Sequence, residues 1–152
     1  MASATDFPIT EYGVAGTNAR ISMPLGANIT IAGGAIVLTD ASGNVKDAAS
    51  SVSSTDVCWG LAEYRRPFLA AATSSVAGTY QVPIVCGAFY LNSGSGADAL
   101  SQATVGKTVY VINENTVGLT SNVGTRPVAG THYNVDSTQP GGYAIKLGNG
   151  GP

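Results

Sequence analysis

Charge is scarce in this chain. Only 11% of its 152 residues are Asp, Glu, Lys or Arg, and seven basic against nine acidic side chains leave a net charge of −2. No basic excess exists to displace counterions from a phosphate backbone, so nucleic acid drops out as a partner. Cysteine is equally scarce: Cys58 and Cys86 fit neither a disulfide scaffold nor a four-ligand zinc site. Both fall in apolar, strand-like surroundings and read as buried, reduced thiols of a reducing compartment. No apolar run approaches the ~18 residues of a membrane span. The first 25 residues lack the basic-then-apolar pattern of a secretory signal. The expectation is a soluble protein, made in the cytosol, with no membrane partner.

Long charged helix formers are also nearly missing, while glycine is abundant at 20 residues. Hydrophobic residues make up 44%, enough for a real core. A chain of this length buries about 68–70% of its unfolded surface without help from metals or disulfides. Short strands and turns are what the pattern offers. Ile21, Met23 and Leu25 alternate with polar or small residues, and residues 28–32 alternate again. Ala35 to Leu38 is a continuous apolar run, as for a strand buried on both faces. Asp40 to Gly43 is a turn, with a short return strand from Asn44 to Lys46. Residues 48–54 read as a linker or one weak helical turn.

Val57 to Tyr64 reads as a strand, with Val57, Trp59 and Leu61 on one face and Cys58, Gly60, Ala62 and Tyr64 on the other. Thr79 to Leu91 reads as one long β segment. Pro83 cannot donate to a ladder and predicts an edge or a bulge there. Ala97 to Gln102 is a one-turn helix. Lys107 to Ile112 and Thr116 to Thr120 form a hairpin across Asn113–Asn115. Arg126 to Gly130 is a short strand, and Tyr143 to Leu147 is the last, with Tyr143, Ile145 and Leu147 on one face. The fold class is therefore all-β: a compact small barrel or sandwich of about eight to ten short strands with Gly-rich turns, and at most one or two helical turns. Residues 21–148 form a single domain and 149–152 a frayed tail. Residues 1–20 lack sustained periodicity and read either as an extended arm or as an edge strand laid along the domain.

Chemistry is thinly represented. His132 is the only histidine. It sits in a Gly/Thr/Asn-rich stretch without a Gly-x-Ser-x-Gly elbow, so a solvated loop residue is expected rather than a general base. The acids fall mostly in turns, and the Gly-Gly pairs are not followed by Lys-Ser/Thr, so neither paired-carboxylate nor phosphate-loop chemistry is indicated. No catalytic, cofactor-binding or metal-binding residue is assigned. Trp59 reads as core. Phe7, Ile9 and Tyr12 are apolar side chains in a segment that owns little core, and are candidate partner contacts. Arg65 and Arg66, the only basic pair, are candidate contacts for an acidic surface.

The order of segments carries a resemblance. Gly33 to Gly43 supplies an apolar strand and turn, and Trp59-Gly60-Leu61-Ala62 follows. Then come Gly78 to Gly87, Val105 to Val111, Thr116 to Thr120 and Arg126-Pro127-Val128-Ala129-Gly130. This grammar, spanning about Ile29 to Leu147, resembles the small all-β tailed-phage proteins that decorate capsids or form the base of head fibers. The resemblance implies a non-enzymatic cement protein. It would bind the major capsid protein on the outside of an assembled icosahedral shell, after synthesis in the host cytoplasm, as a homo-oligomer with a trimer favoured. In several such proteins an N-terminal arm joins the shell contact. Two rivals stand beside it. A carbohydrate-binding module or head-fiber anchor predicts an exposed aromatic row, and a small β-barrel hydrolase predicts His132 in a pocket beside a hydroxyl and a carboxylate.

Overall fold

The computed structural model describes residues 7, 9–12, 19–49, 52–63 and 74–148. Ten strands lie among them: β1 (Arg20–Pro24), β2 (Ile36–Thr39), β3 (Val45–Asp47), β4 (Val57–Ala62), β5 (Gln81–Val85), β6 (Ala88–Ser93), β7 (Thr108–Val111), β8 (Thr116–Gly118), β9 (Val128–Val135) and β10 (Tyr143–Leu147). The helical content among the described residues is two single 3-10 turns, Gly96–Asp98 and Gln102–Thr104. The fold is all-β, in two lobes. The first is a five-stranded sheet in the order β1-β5-β4-β2-β3, and the second is a closed barrel in the order β10-β6-β8-β7-β9.

The first sheet curls until its two edges meet. Leu25, just past β1, makes a parallel bridge to Val45 of β3, and the Gly26 N–H donates to the Val45 carbonyl (2.9 Å). No barrel strand has an edge, because β10 pairs antiparallel with both β6 and β9 and β8 pairs parallel with β6 and antiparallel with β7. Closing edges in this way removes the unpaired N–H and C=O rows that template aggregation.

Two apolar clusters fill the structure. The larger joins Ile36, Leu38, Cys58, Leu61 and Val85 of the first sheet to Phe89, Val109, Val117, Ile145 and Leu147 of the barrel. It is both the barrel filling and the seam between lobes. The smaller lies on the other side of the first sheet and contains Leu25, Ile31, Val37, Val45, Val82, Ile84 and Cys86. The alternation of β2 explains the division. Ile36 and Leu38 face the seam while Val37 faces the smaller cluster, so all four β2 residues are buried.

Several sequence expectations require correction. In β4, the register with β2 runs Val37–Gly60 and then Leu38–Cys58, which leaves Trp59 as the extra residue of a β-bulge. Simple alternation fails across it. Cys58 joins Leu61 in the seam, while Trp59 packs half-buried against the smaller cluster, its indole N–H donating to the Thr39 hydroxyl (2.8 Å). The long β segment 79–91 is two strands. Gly87, at φ +148°, turns the chain out of the first sheet and into the barrel.

Pro83 is on neither an edge nor a bulge, because β5 is flanked by β1 and β4. Its carbonyl accepts from the Glu63 N–H (2.9 Å), so its ring nitrogen faces the same way, toward the end of β4. The missing donor thus falls just beyond the Ala62–Ile84 rung that ends that ladder. Residues 28–32 form no strand, although Ile31 and Ala32 are buried.

The largest correction concerns β9. It runs eight residues, to Val135, and takes in His132. Its register slips twice, leaving Ala129 extra against β7 and Tyr133 extra against β10. Those two bulges coil the strand around the barrel and hide its period in the sequence.

Candidate functional site

Of the five candidate contact residues, three fall within the described chain. Phe7, Ile9 and Tyr12 belong to a segment stitched onto both lobes. The Phe7 N–H donates to the Gly33 carbonyl (2.7 Å) in the first lobe. The Tyr90 N–H donates to the Thr10 carbonyl (2.9 Å), the Tyr12 N–H donates to the Ala88 carbonyl (2.8 Å), and Glu11 forms an antiparallel bridge with Phe89. These bonds occupy the part of β6 that precedes its short pairing with β8 at Asn92 and Ser93. Ile9 is half-buried and packs against the seam cluster. Gly34 makes room for the stitch: at φ +78° a Cβ there would overlap the Phe7 carbonyl oxygen. Arg65 and Arg66 lie outside the described residues.

Tyr12 is half-buried, in an aromatic group that the sequence does not assemble. Its ring centroid lies 5.8 Å from that of Tyr90 and 6.3 Å from that of Tyr133, edge-on to both. Tyr90 is the cross-strand partner of Ala144 on β10, whose small side chain leaves the rings space to meet. Tyr133 is the bulge residue of β9. The slip that turns His132 inward turns its neighbour outward, to 46% exposure.

Beside these rings runs an open cleft in two parts. One, of about 170 Å³, is lined by Phe7, Gly34, Tyr90, Leu91, Asn92, Asn115, Pro140 and Gly141. The other, of about 310 Å³, is lined by Asn92, Val135, Ser137, Gln139, Gly141, Gly142 and Tyr143. Asn92 and Gly141 are common to both. Five separate segments build the walls: the N-terminal stitch, the turn at Gly34 before β2, β6, the β7–β8 turn and the β9–β10 loop with its flanking strand ends.

The β9–β10 loop is held by its own hydrogen bonds. The Asp136 N–H donates to the Gly142 carbonyl (2.8 Å) and the Gln139 N–H to the Asp136 carbonyl (3.1 Å). The Asp136 carboxylate accepts from the Thr138 N–H (3.0 Å) and hydroxyl (2.6 Å) through Oδ1. These two bonds hold its carboxyl below the usual aspartate range. Gly141, at φ +81°, crosses so close over β6 that a Cβ would lie 2.7 Å from the Leu91 carbonyl. Burial, the charge of Asp136 and the neighbouring Tyr12 push the Tyr90 phenol upward, so it stays a neutral hydroxyl.

The other chemistry-bearing side chains are built into the fold. His132 is fully buried, not a solvated loop residue. It pairs with Ile145 and so faces the barrel interior. Its Nε2 lies 3.1 Å from the Asn134 carbonyl. A carbonyl can only accept, so that nitrogen carries a proton. Nδ1 lies 3.1 Å from the Thr104 hydroxyl, which also reaches the Ser101 carbonyl (2.9 Å). A hydroxyl is present, as the hydrolase alternative requires, but the second partner is a main-chain carbonyl and not a carboxylate. Cys58 and Cys86 are free and buried, one in each cluster. Burial pushes the Cys58 thiol up to about 12, far from a nucleophile at neutral pH.

Two ion pairs brace loops. Arg126 Nη1 donates to both oxygens of Asp98 (3.1 and 3.0 Å), and Oδ1 also accepts from the Thr120 N–H (3.0 Å) and hydroxyl (2.7 Å). Desolvation alone would raise the Asp98 carboxyl, but the bonds from Thr120 and Arg126 together hold it below the usual range. Lys46 meets buried Asp56 at 3.0 Å, and the Asp56 carboxylate also accepts from the Ser53 N–H (2.8 Å). Glu114 is the exception. Its Oε2 is enclosed with no hydrogen-bond partner, and burial followed by the charge of Asp47 raises its carboxyl. Among the described residues no group of three or more His, Cys, Asp or Glu could hold a metal ion.

Comparison with protein-family models, with curated proteins and with solved structures finds no match for this chain.

Nothing local in the sequence singles out Tyr90, Tyr133, Asn92 or Gln139. The Asp136-Ser137-Thr138 turn was visible in principle, since Asp commonly bonds to the backbone two residues on. The rest are brought together only by long-range pairing and by the bulge at Tyr133.

Proposed function

We propose that the chain is a structural virion protein that binds the outer surface of an assembled phage capsid and stabilises it. The observation that carries this reading is where the resembling segments fall. Gly33–Gly43, Trp59–Ala62, Gly78–Gly87, Val105–Val111, Thr116–Thr120 and Arg126–Gly130 each coincide with a strand or its turn in one continuous β body. That body has its edges closed on themselves and a shared core, the properties a cement protein needs to survive on a shell. Its histidine and both cysteines are committed to packing, which supports binding rather than catalysis. The partner is the major capsid protein, and the protein acts as a homo-oligomer, a trimer being the favoured form. Several linked copies engaging neighbouring lattice sites convert a weak contact into a firm one.

The test is to mix purified protein with phage heads that lack it and sediment the heads. The proposal expects saturable co-sedimentation and heads that resist higher temperature before releasing DNA. Protein that stays in the supernatant at every concentration overturns it. Light scattering of the free protein tests the trimer.

A further inference from the structure

We infer that the cleft beside Tyr12, Tyr90 and Tyr133 is a binding site for a neutral saccharide chain. The inference is independent of what anchors the protein. Three observations converge on that ligand class.

First, the surface offers aromatic rings in a group, with Tyr133 46% exposed and Tyr12 within 5.8 Å of Tyr90 and 6.3 Å of Tyr133. The C–H faces of a sugar ring are weakly positive and pack against the negative face of an aromatic ring. Second, the cleft floor and wall carry planar polar groups with free capacity. The Asn92 and Gln139 side chains line it, and neither amide hydrogen-bonds another described residue. Each amide has two donors and an acceptor, which suits a pair of neighbouring sugar hydroxyls. Asp136 binds Thr138 through Oδ1, leaving Oδ2 to accept a further hydroxyl. Third, no Lys or Arg is among the described residues lining either part of the cleft, while Asp136, between the lining residues Val135 and Ser137, adds a negative charge that reaches Tyr90. That selects against anionic ligands and leaves neutral ones.

The shape agrees. The two parts of the cleft run into each other at Asn92 and Gly141. Together they fall in the lower range of small-molecule sites, which is about 300–1,000 Å³. They are open to solvent, as a site for an internal stretch of a long chain must be. The walls are preformed, because the Asp136-centred loop bonds and the close crossing of Gly141 over Leu91 fix the β9–β10 loop. Little ordering is left to oppose binding.

The experiment is affinity electrophoresis of the full chain through gels containing amylose, dextran, mannan, galactan or soluble chitosan-free chitin oligomers, with polygalacturonate as the anionic control. Calorimetry on any oligosaccharide of a retarding polymer gives the affinity. Tyr133→Ala and Asn92→Ala are run beside the parent, with thermal unfolding to confirm that each still folds. Retardation by at least one neutral polymer, weakened tenfold or more by each substitution, supports the site. Failure of every neutral polymer to retard the parent overturns it, as does retardation by polygalacturonate alone or unchanged binding in both variants. Both variants are also sedimented with phage heads. Loss of head binding without any saccharide binding would make the cleft a protein contact, overturning the saccharide inference while leaving the capsid proposal standing.

Discussion

The two lobes solve the same problem with different security. The barrel closes through strand ladders on every side, with β10 paired to both neighbours along its length. The first sheet closes through one bridge, Leu25 to Val45, and one further backbone bond at Gly26. The barrel also owns most of the shared seam, whereas the first lobe holds the smaller cluster alone. The difference teaches that stability is distributed unequally in a chain whose composition is much the same throughout. The barrel is the support, and the first lobe leans on it.

The strongest test of that inequality compares two core truncations. Phe89→Ala empties a fully buried position at the seam, on the strand that pairs with both β10 and the N-terminal stitch. Its expected cost is about 3–5 kcal/mol in denaturant unfolding. Val82→Ala, in the smaller cluster, should cost about 2 kcal/mol. Native-state hydrogen exchange should show Val45 and Gly26 opening well before the β9–β10 ladder. Equal protection in the two lobes would break the comparison.

Next in size is His132→Ala. It removes a buried ring and leaves the Thr104 hydroxyl and the Asn134 carbonyl without that partner. The expected cost is about 3 kcal/mol. A variant that melts with the parent would show that the ring is not part of the barrel core.

Asp98→Asn sharpens the picture at the barrel's surface. Removing the charge that Arg126 and Thr120 share should cost about 1–2 kcal/mol at pH 7. The sign of the pH dependence follows from the lowered carboxyl of Asp98. Its contribution is complete above the unfolded aspartate value of 3.8 and is lost as pH falls from there through the folded value. Thermal unfolding from pH 5 to pH 2 should therefore fall less steeply in the variant than in the parent.

The smallest expected effect has the opposite sign. Glu114 carries an enclosed oxygen with no partner, and its carboxyl is raised. For an acid, a raised folded value means the ionised form is held at a cost, which is relieved as pH falls through that value. Glu114→Gln should therefore stabilise the protein at pH 7, raising the melting temperature by about 1–2 °C. A loss of stability would mean that the charge has a partner beyond the described residues.

Legibility in the sequence followed the regularity of the backbone. Tyr143 to Leu147 was readable residue for residue, because Ile145 and Leu147 alternate into the core across it. The β2–β3 and β7–β8 hairpins were readable from their turns. The failures sit at irregularities. A single bulge at Trp59 reassigns the faces of β4, and two bulges in β9 disguise an eight-residue strand as a polar loop. Local period cannot reveal an inserted residue whose only signature is its pairing partner. The cleft was less legible still, since Phe7, Asn92 and Gln139 line it from segments distant in sequence, and side-chain identity alone carries no distance.

The stitch has a consequence for the order of events in folding. Residue 11 pairs with residue 89, so the segment from Phe7 to Tyr12 is synthesised well before the strand that receives it. Until β6 has emerged and turned into the barrel, Ile9 and Tyr12 have no docking place, and closing so long a loop early brings a conformational cost with no compensating contact. The stitch therefore seats late, and its seating reports that both lobes are already in register. A probe on Tyr12 would read the completion of the whole molecule.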